Sequence, residues 1–187
     1  DVEGAFAEMI GANYAVSQHN GTSTLWSSYF ALGVGPGDEV IHPNFTWICS
    51  VAPTYMLGAR PVFAEIDPKT FLIDPEDIEK RITKNTKAIV AVHWGGNVCD
   101  MVGVMDVADR HGIPVVEDCS HAHGAKFDGK SVGTIGAMGA FSFQGVPGQG
   151  KPVSGGEAGM VTTMDRYLYE RVLLFAHGGR EGLADEL

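Results

Sequence analysis

The stretch Val115-Val116-Glu117-Asp118-Cys119-Ser120-His121-Ala122-His123-Gly124 gathers two carboxylates and two imidazoles on small-residue backbone. An apolar run that stops at acids is the pattern of a buried parallel strand emerging at its carboxyl end. Ligands of open α/β sheets bind along that edge. Three chemistries fit Asp118, His121 and His123. His-x-His beside carboxylates can ligate zinc, although no third, distant ligand presents itself. The cluster can be polar packing. It can also recognise a protonated heterocycle, with Asp118 as its counter-ion.

Other stretches carry parts of the same chemistry. Asn20-Gly21-Thr22-Ser23 lies between a strand and a helix. Free N–H groups and hydroxyls at a helix N-terminus make an anion site, and the same residues also make an ordinary N-cap. Trp47, in Phe45-Thr46-Trp47, can stack on a flat aromatic ligand or fill the core. His93 closes a strand in His93-Trp94-Gly95-Gly96 and reads as catalytic or as hydrogen-bonded packing. Ser142, in Phe141-Ser142-Phe143-Gln144, is a lone hydroxyl able to bind an anion. Lys151 stands alone among small neutral residues. A desolvated lysine has a lowered pKa and forms Schiff bases; the other reading is a surface loop residue. Gly33-x-Gly35-x-Gly37 precedes a strand instead of following one, so it is a turn and not a dinucleotide loop. An anion cradle, an aromatic plate, an acid for a ring nitrogen and a lysine amine are together the parts a pyridoxal phosphate enzyme needs.

Such a set needs a scaffold that brings many strand ends to one place. Strands are predicted at 14–18, 39–42, 61–66, 87–93, 114–117, 139–144 and 159–163. Helices are predicted at 24–32, from a cap in 44–46 to 57 with Pro53 as a kink, from Asp74 to 82, at 101–111 closed by Gly112, and after Asp165 to 175. Phe127-Asp128-Gly129-Lys130 is a hairpin turn. Strand and helix in alternation predict a parallel sheet wrapped by helices.

The bulk properties bound the function. The 187 residues, 44% hydrophobic, suffice for one domain with a sizeable core. A net charge of −10 argues against nucleic-acid and anionic-membrane partners. No run approaches the ~18 apolar residues of a membrane span, and Asp1-Val2-Glu3 is not a signal peptide. Cys49, Cys99 and Cys119 are odd in number and form no CxxC pair, which reads as a reduced, cytoplasmic protein without a disulfide framework. The ends read as cut. Residue 1 falls inside a helical pattern (Val2, Phe6, Met9, Ile10), and the chain stops at Leu187 with no capping element, so a fragment of a longer protein is expected.

At the level of whole motifs the chain resembles the DegT/DnrJ/StrS family of PLP-dependent nucleotide-sugar aminotransferases, of aspartate-aminotransferase fold. The resemblance covers almost the whole chain. It runs through Asn20-Gly21-Thr22-Ser23, Gly33-Val34-Gly35-Pro36-Gly37-Asp38-Glu39-Val40-Ile41, Pro43-Asn44-Phe45-Thr46-Trp47, Asp67-Pro68, Ile73-Asp74-Pro75 and Thr86-Lys87-Ala88-Ile89. It continues through Glu117-Asp118 to Gly124, Gly129-Lys130-x-Val132-Gly133 and Phe141-Ser142-Phe143.

The resemblance implies an α/β fold: the PLP-binding large domain of a type I transferase over 1–187. Its seven-stranded, mostly parallel sheet would be sandwiched by helices, the last strand antiparallel and the C-terminal small domain absent. It implies pyridoxal 5′-phosphate as cofactor and no metal. Thr22, Ser23 and Ser142 would hold the phosphate, and Trp47 would stack on the ring. Asp118 would pair with the ring nitrogen, His121 would touch the ring hydroxyl, and Lys151 would form the Schiff base. It further implies a homodimer that moves an amino group from glutamate or glutamine to a keto-sugar or keto-cyclitol. The alternatives are a PLP-dependent sugar dehydratase, which retention of Lys151 argues against, a 3-amino-5-hydroxybenzoate-synthase-like enzyme, or an inactive truncated fragment. Three positions depart from the family pattern. Gly145 to Gly150 supply six residues before Lys151 where two or three are usual, Pro152 restricts Lys151 to extended backbone, and Ala158 replaces a glycine.

Overall fold

The computed structural model describes residues 1–146 and 148–178. Pro147 and the predicted uncapped end at Leu187 lie outside the described residues. In chain order the first half runs α1 (Val2–Ile10), β1 (Tyr14–Gln18), α2 (Gly21–Ala31), β2 (Glu39–Pro43), α3 (Ile48–Met56), β3 (Arg60–Ala64), α4 (Pro75–Arg81) and β4 (Thr86–Val92). Then come α5 (Met101–His111), β5 (Val115–Asp118), β6 (Lys126–Phe127), β7 (Lys130–Ser131) and β8 (Met138–Ser142). The hairpin β9 (Gly145–Val146) and β10 (Gln149–Gly150), strand β11 (Gly159–Thr163) and α6 (Arg166–His177) complete it.

Seven strands form one sheet in the order β1-β11-β8-β5-β4-β2-β3. Strand β11 runs antiparallel to both neighbours, and the remaining pairs are parallel. The expected fold class is therefore the observed one. Its physical cause is plain in β4. Ala88, Val90 and Val92 join the apolar cluster on one face, and Ile89 and Ala91 join the cluster on the other. A strand covered on both faces needs an unbroken apolar run. A third cluster, with Phe6 and Ile10 of α1 against Phe141 and Met160, seals the β1 end. Among the described residues no helix is long and apolar enough to cross a membrane.

Helix starts follow local side chains. Asp74, Asp100 and Asp165 cap α4, α5 and α6 by accepting N–H groups of the first turn, and Gly112 closes α5. Asp1 lies outside the α1 pattern and caps it through the Gly4 N–H at 2.7 Å. Helix α2 begins at Gly21, three residues before the expected 24, because Asn20 is its cap. Helix α3 corrects a second expectation. It begins at Ile48, with Trp47 in the cap position and no side-chain cap. The predicted cap residues are occupied elsewhere: the Asn44 amide donates to Glu65 at 2.6 Å, and the Thr46 hydroxyl pairs with that of Ser50. The helix runs through Pro53, whose ring is buried.

One core group makes stability depend on pH. His42 on β2 is fully buried, and its Nε2 lies 2.9 Å from Thr54 Oγ1. Burial pushes its pKa down to about 3. The unfolded chain takes up this proton near pH 6.5 and the folded chain does not. The site therefore costs nothing above pH 6.5, and stability falls as pH drops from there toward 3. The slope from this site is about 1.4 kcal/mol per pH unit. Urea titrations at pH 7.0, 6.0 and 5.0 are expected to show that loss. His42→Gln is expected to remove this site's share of it, about 1.4 kcal/mol per pH unit, leaving the share of His123, whose pKa burial also lowers.

Candidate active site

The carboxyl ends of β1, β2, β4, β5 and β8 and the start of β11 meet at one sheet edge, as the strand directions require. A cavity of about 500 Å³ opens there. Thr22, Trp47, Asp118, His121, Ser142 and Lys151 all line it. Six of the seven residues singled out from sequence are thus brought together.

Asp118 is the last residue of β5 and is only 4% exposed. Each carboxylate oxygen accepts one fixed donor: Oδ2 takes the Ser50 hydroxyl at 2.7 Å, and Oδ1 the Ser120 N–H at 3.1 Å. The residue before it faces the other way and anchors the strand end. Fully buried Glu117 accepts from His93 Nε2 (3.1 Å) and from the N–H groups of Gly133 (2.9 Å), Ile135 (2.8 Å) and Gly136 (2.7 Å). His93 Nδ1 accepts the Cys99 N–H at 3.2 Å, so Nε2 carries the proton it gives to Glu117. Both ring nitrogens of His93 are committed, and its catalytic reading gives way to packing. The ligand-type atoms of His93, Glu117 and Cys119 lie within 4.8 Å of one another, a grouping different from the His-x-His reading. These atoms are already in hydrogen bonds: His93 Nε2 donates to the Glu117 carboxylate, and Cys119 Sγ donates to the Glu117 carbonyl at 3.6 Å.

The phosphate-type end lies at the N-terminus of α2. Asn20 and Ser23 form a reciprocal capping box. Ser23 gives its N–H to Asn20 Oδ1 at 2.9 Å and its hydroxyl to the Asn20 carbonyl at 2.7 Å. Ser23 is 6% exposed and lies outside the cavity lining, which corrects its expected place beside Thr22. Gly21 and Thr22 remain in the first turn, where N–H groups have no acceptor within the helix. A Cβ on Gly21 would lie 2.6 Å from Ser142 Cβ and 3.4 Å from Ser120 Oγ. Only glycine lets the helix N-terminus approach these two hydroxyl residues.

The plate and the imidazole come from loops. Trp47 is 66% exposed at the cavity rim, so the core reading fails for it. His121 Nδ1 accepts the Gly95 N–H at 3.2 Å, and its ring meets Trp94 edge-on at 5.0 Å. Nε2 is therefore the donor nitrogen of the neutral ring. Burial lowers the His121 pKa, the Lys151 charge lowers it further, and Asp118 opposes both. The neutral form is thereby favoured. His123 packs between Phe141 and Phe143, with ring centroids 5.7 and 5.4 Å away, and burial takes its pKa to about 4.

Lys151 reaches the cavity despite the six preceding residues. Val146 pairs with Gln149 and Gly145 with Gly150 in the small β9–β10 hairpin. The Lys151 N–H then donates to the Gln144 carbonyl at 3.0 Å. The extra residues are looped out, and Lys151 resumes where Gln144 left off. Gly150 permits this, since at φ +124° a Cβ would sit 2.7 Å from the Gln144 carbonyl. Burial lowers the Lys151 pKa, with Asp118 and Cys49 acting in the opposite sense. Sequence reading missed Ser50 and Glu117. The i, i+4 pair of hydroxyl residues Thr46 and Ser50 at a helix start was the available signal for the first.

A family model described as the DegT/DnrJ/EryC1/StrS aminotransferase family matches residues 1–186. The chain is 45% identical over 175 residues to the L-glutamine:2-deoxy-scyllo-inosose aminotransferase of Streptomyces kanamyceticus, covering 94% of this chain and 40% of that protein. It is 43% identical over 177 residues to the GDP-perosamine synthase of Escherichia coli O157:H7, covering 95% of this chain and 48% of that protein. Among solved structures, a 3-amino-5-hydroxybenzoic acid synthase superposes with a TM-score of 0.87 at 38% identity, over 92% of this chain and 44% of that one. The chain thus spans less than half the length of these relatives.

Proposed function

This chain belongs to the DegT/DnrJ/EryC1/StrS aminotransferase family, and we propose that residues 1–187 are the cofactor-binding large domain of a pyridoxal-phosphate-dependent aminotransferase. The acceptor is a keto-sugar or keto-cyclitol, and the donor is glutamate or glutamine. Pyridoxal phosphate is the cofactor of this family. The observation that carries the reading is Asp118 and Lys151 lining one cavity with the glycine-opened N-terminus of α2.

The residues fit that cofactor. A Cβ at Gly21 would collide with Ser142, so glycine brings the first turn of α2 directly beside the Ser142 hydroxyl on the cavity wall, where a phosphate would meet N–H donors, a hydroxyl and the positive helix end. Thr22 and Ser142 hold the phosphate, and Ser23 supports them through the cap. Trp47 covers the ring face. Asp118 would accept a hydrogen bond from the protonated ring nitrogen, and its charge would keep the proton on the ring. His121, neutral and with its proton on Nε2, donates to the ring hydroxyl.

When bound, the cofactor supplies an aldehyde and a ring that draws electrons from the bonds of an attached amino acid. Lys151 supplies the amine that holds it between turnovers. Once free, the Lys151 Nζ would take up and return the proton that moves in the reaction. Its lowered pKa suits that work, because more of it is the free base near neutral pH than for an exposed lysine. The protein acts as a homodimer: Trp47 at the cavity rim and the adjacent Ile48, 66% and 63% exposed, suit cover by a second copy.

The test uses the intact protein with pyridoxal phosphate and sodium borohydride. Reduction is expected to fix the cofactor's mass on the peptide carrying Lys151, and Lys151→Ala is expected to abolish both the adduct and amine transfer. An adduct-free wild type, or full transfer by Lys151→Ala, overturns the reading. A second reading, an enzyme of the 3-amino-5-hydroxybenzoate-synthase kind, is favoured by the 38% identity over 92% of this chain. Following amine transfer and water loss on one keto-substrate separates the two.

A further inference from the structure

We infer that Ser50 is a positioning residue that sets the distance between the ring plate Trp47 and the ring counter-ion Asp118; this rests on the cofactor reading above. Trp47 and Asp118 are both needed around one flat ring, yet they come from different strand ends. The link between them is a directed chain of hydroxyls. Ser50 Oγ donates its only proton to Asp118 Oδ2 at 2.7 Å. The 2.9 Å contact between Ser50 Oγ and Thr46 Oγ1 must then have Thr46 as donor. The order is Thr46 to Ser50 to Asp118.

Two main-chain hydrogen bonds make this chain a clamp. The Ser50 N–H donates to the Trp47 carbonyl at 2.9 Å. The Ser50 carbonyl accepts the hydroxyl of fully buried Tyr29 at 2.8 Å. Trp47 thus stands inside a loop whose two ends, Thr46 and Ser50, are joined through their side chains. Exposed as it is, its ring has few packing partners of its own to orient it. The clamp supplies that orientation and ties it to the carboxylate across a separation of 68 residues. Ser50 is 2% exposed, so its hydroxyl is held by Asp118 and Thr46 and not by bulk solvent.

Ser50 acts through Asp118 and Trp47 and does no chemistry itself, so the test reads ring binding and orientation. Wild type, Ser50→Ala and Ser50→Thr are compared in the intact protein. Three quantities are measured: the thermal midpoint of the cofactor-free protein, the pyridoxal phosphate dissociation constant, and the visible circular dichroism of the bound cofactor. Ser50→Ala is expected to weaken binding by about 10- to 100-fold, as loss of a hydrogen bond to a charged group does. Its visible dichroism is expected to fall by at least half, with the midpoint within a few degrees of wild type. Ser50→Thr, which keeps the hydroxyl, is expected to bind within about threefold of wild type.

Wild-type binding and dichroism in Ser50→Ala overturn this inference alone. A midpoint drop beyond 10 degrees, shared by Ser50→Thr with equal loss of binding, also overturns it, since the residue then serves only the fold. If the wild type itself binds no pyridoxal phosphate, the cofactor reading falls and takes the inference with it.

Discussion

Asp118→Ala is expected to lower amine transfer by the intact protein by about 10³-fold or more, a barrier increase of about 4 kcal/mol. The carboxylate faces a cavity in which it opposes the lowering of the Lys151 and His121 pKa values. Without it, nothing at the floor of the site keeps a proton on a ring nitrogen, and the ring no longer draws electrons efficiently. The fold should survive. The substitution leaves the Ser50 hydroxyl and the Ser120 N–H without their acceptor, at a cost of about 1–3 kcal/mol. Asp118→Asn separates charge from shape, because its amide oxygen still accepts from Ser50. Its NH₂ then faces the Ser120 N–H, so it should lose about 1–3 kcal/mol of stability, no more than Asp118→Ala, and nearly as much turnover as Asp118→Ala. Steady-state rates on one keto-substrate, with thermal midpoints alongside, give the answer. Turnover near the wild-type rate in Asp118→Asn would remove Asp118 from the proposed role.

Much of this site was legible because strand ends announce themselves. The run Val115-Val116 ending at Asp118, and Phe141 ending at Ser142, each combine a buried apolar pattern with a polar stop. Position along the strand then places those stops on one edge. Residues whose role depends on distant backbone were not legible. The Thr46/Ser50 spacing marks a local hydroxyl pair, but nothing local points to the carboxylate partner 68 residues away. Ser23 looked like an anion ligand because hydroxyls near a helix start serve ligands and caps alike. The structure spends both its N–H and its hydroxyl on Asn20. The distance from Ser142 to Lys151 looked too long because sequence counts residues, whereas the β9–β10 hairpin returns the chain beside Gln144. Trp47 went the other way. Frequency favoured the core, but the Thr46–Ser50 loop leaves its ring at the rim.

Glu117→Gln is expected to be the most destabilising of these changes, by about 3–5 kcal/mol, although it alters one atom of a residue outside the cavity lining. The carboxylate is fully buried and survives there by accepting four N–H donors, two on each oxygen. An amide has one acceptor oxygen. If that oxygen takes the Ile135 and Gly136 N–H groups, the NH₂ meets the Gly133 N–H and His93 Nε2. Rotating the His93 proton to Nδ1 relieves one clash and makes another, because Nδ1 already accepts from Cys99. If the amide flips, the NH₂ faces Ile135 and Gly136 instead. Either way at least two buried donors lose their acceptor. At about 2–4 °C per kcal/mol for a domain of this size, the thermal midpoint should fall by about 10 °C. The damage should also reach the cavity, since Glu117 fixes the backbone from which Asp118 projects, so pyridoxal phosphate affinity should fall in the same variant. Denaturant melts with and without pyridoxal phosphate measure both effects. A Glu117→Gln protein as stable as wild type would mean that the loop at 133–136 finds other acceptors, and the anchoring of Asp118 through its neighbour would have to be abandoned.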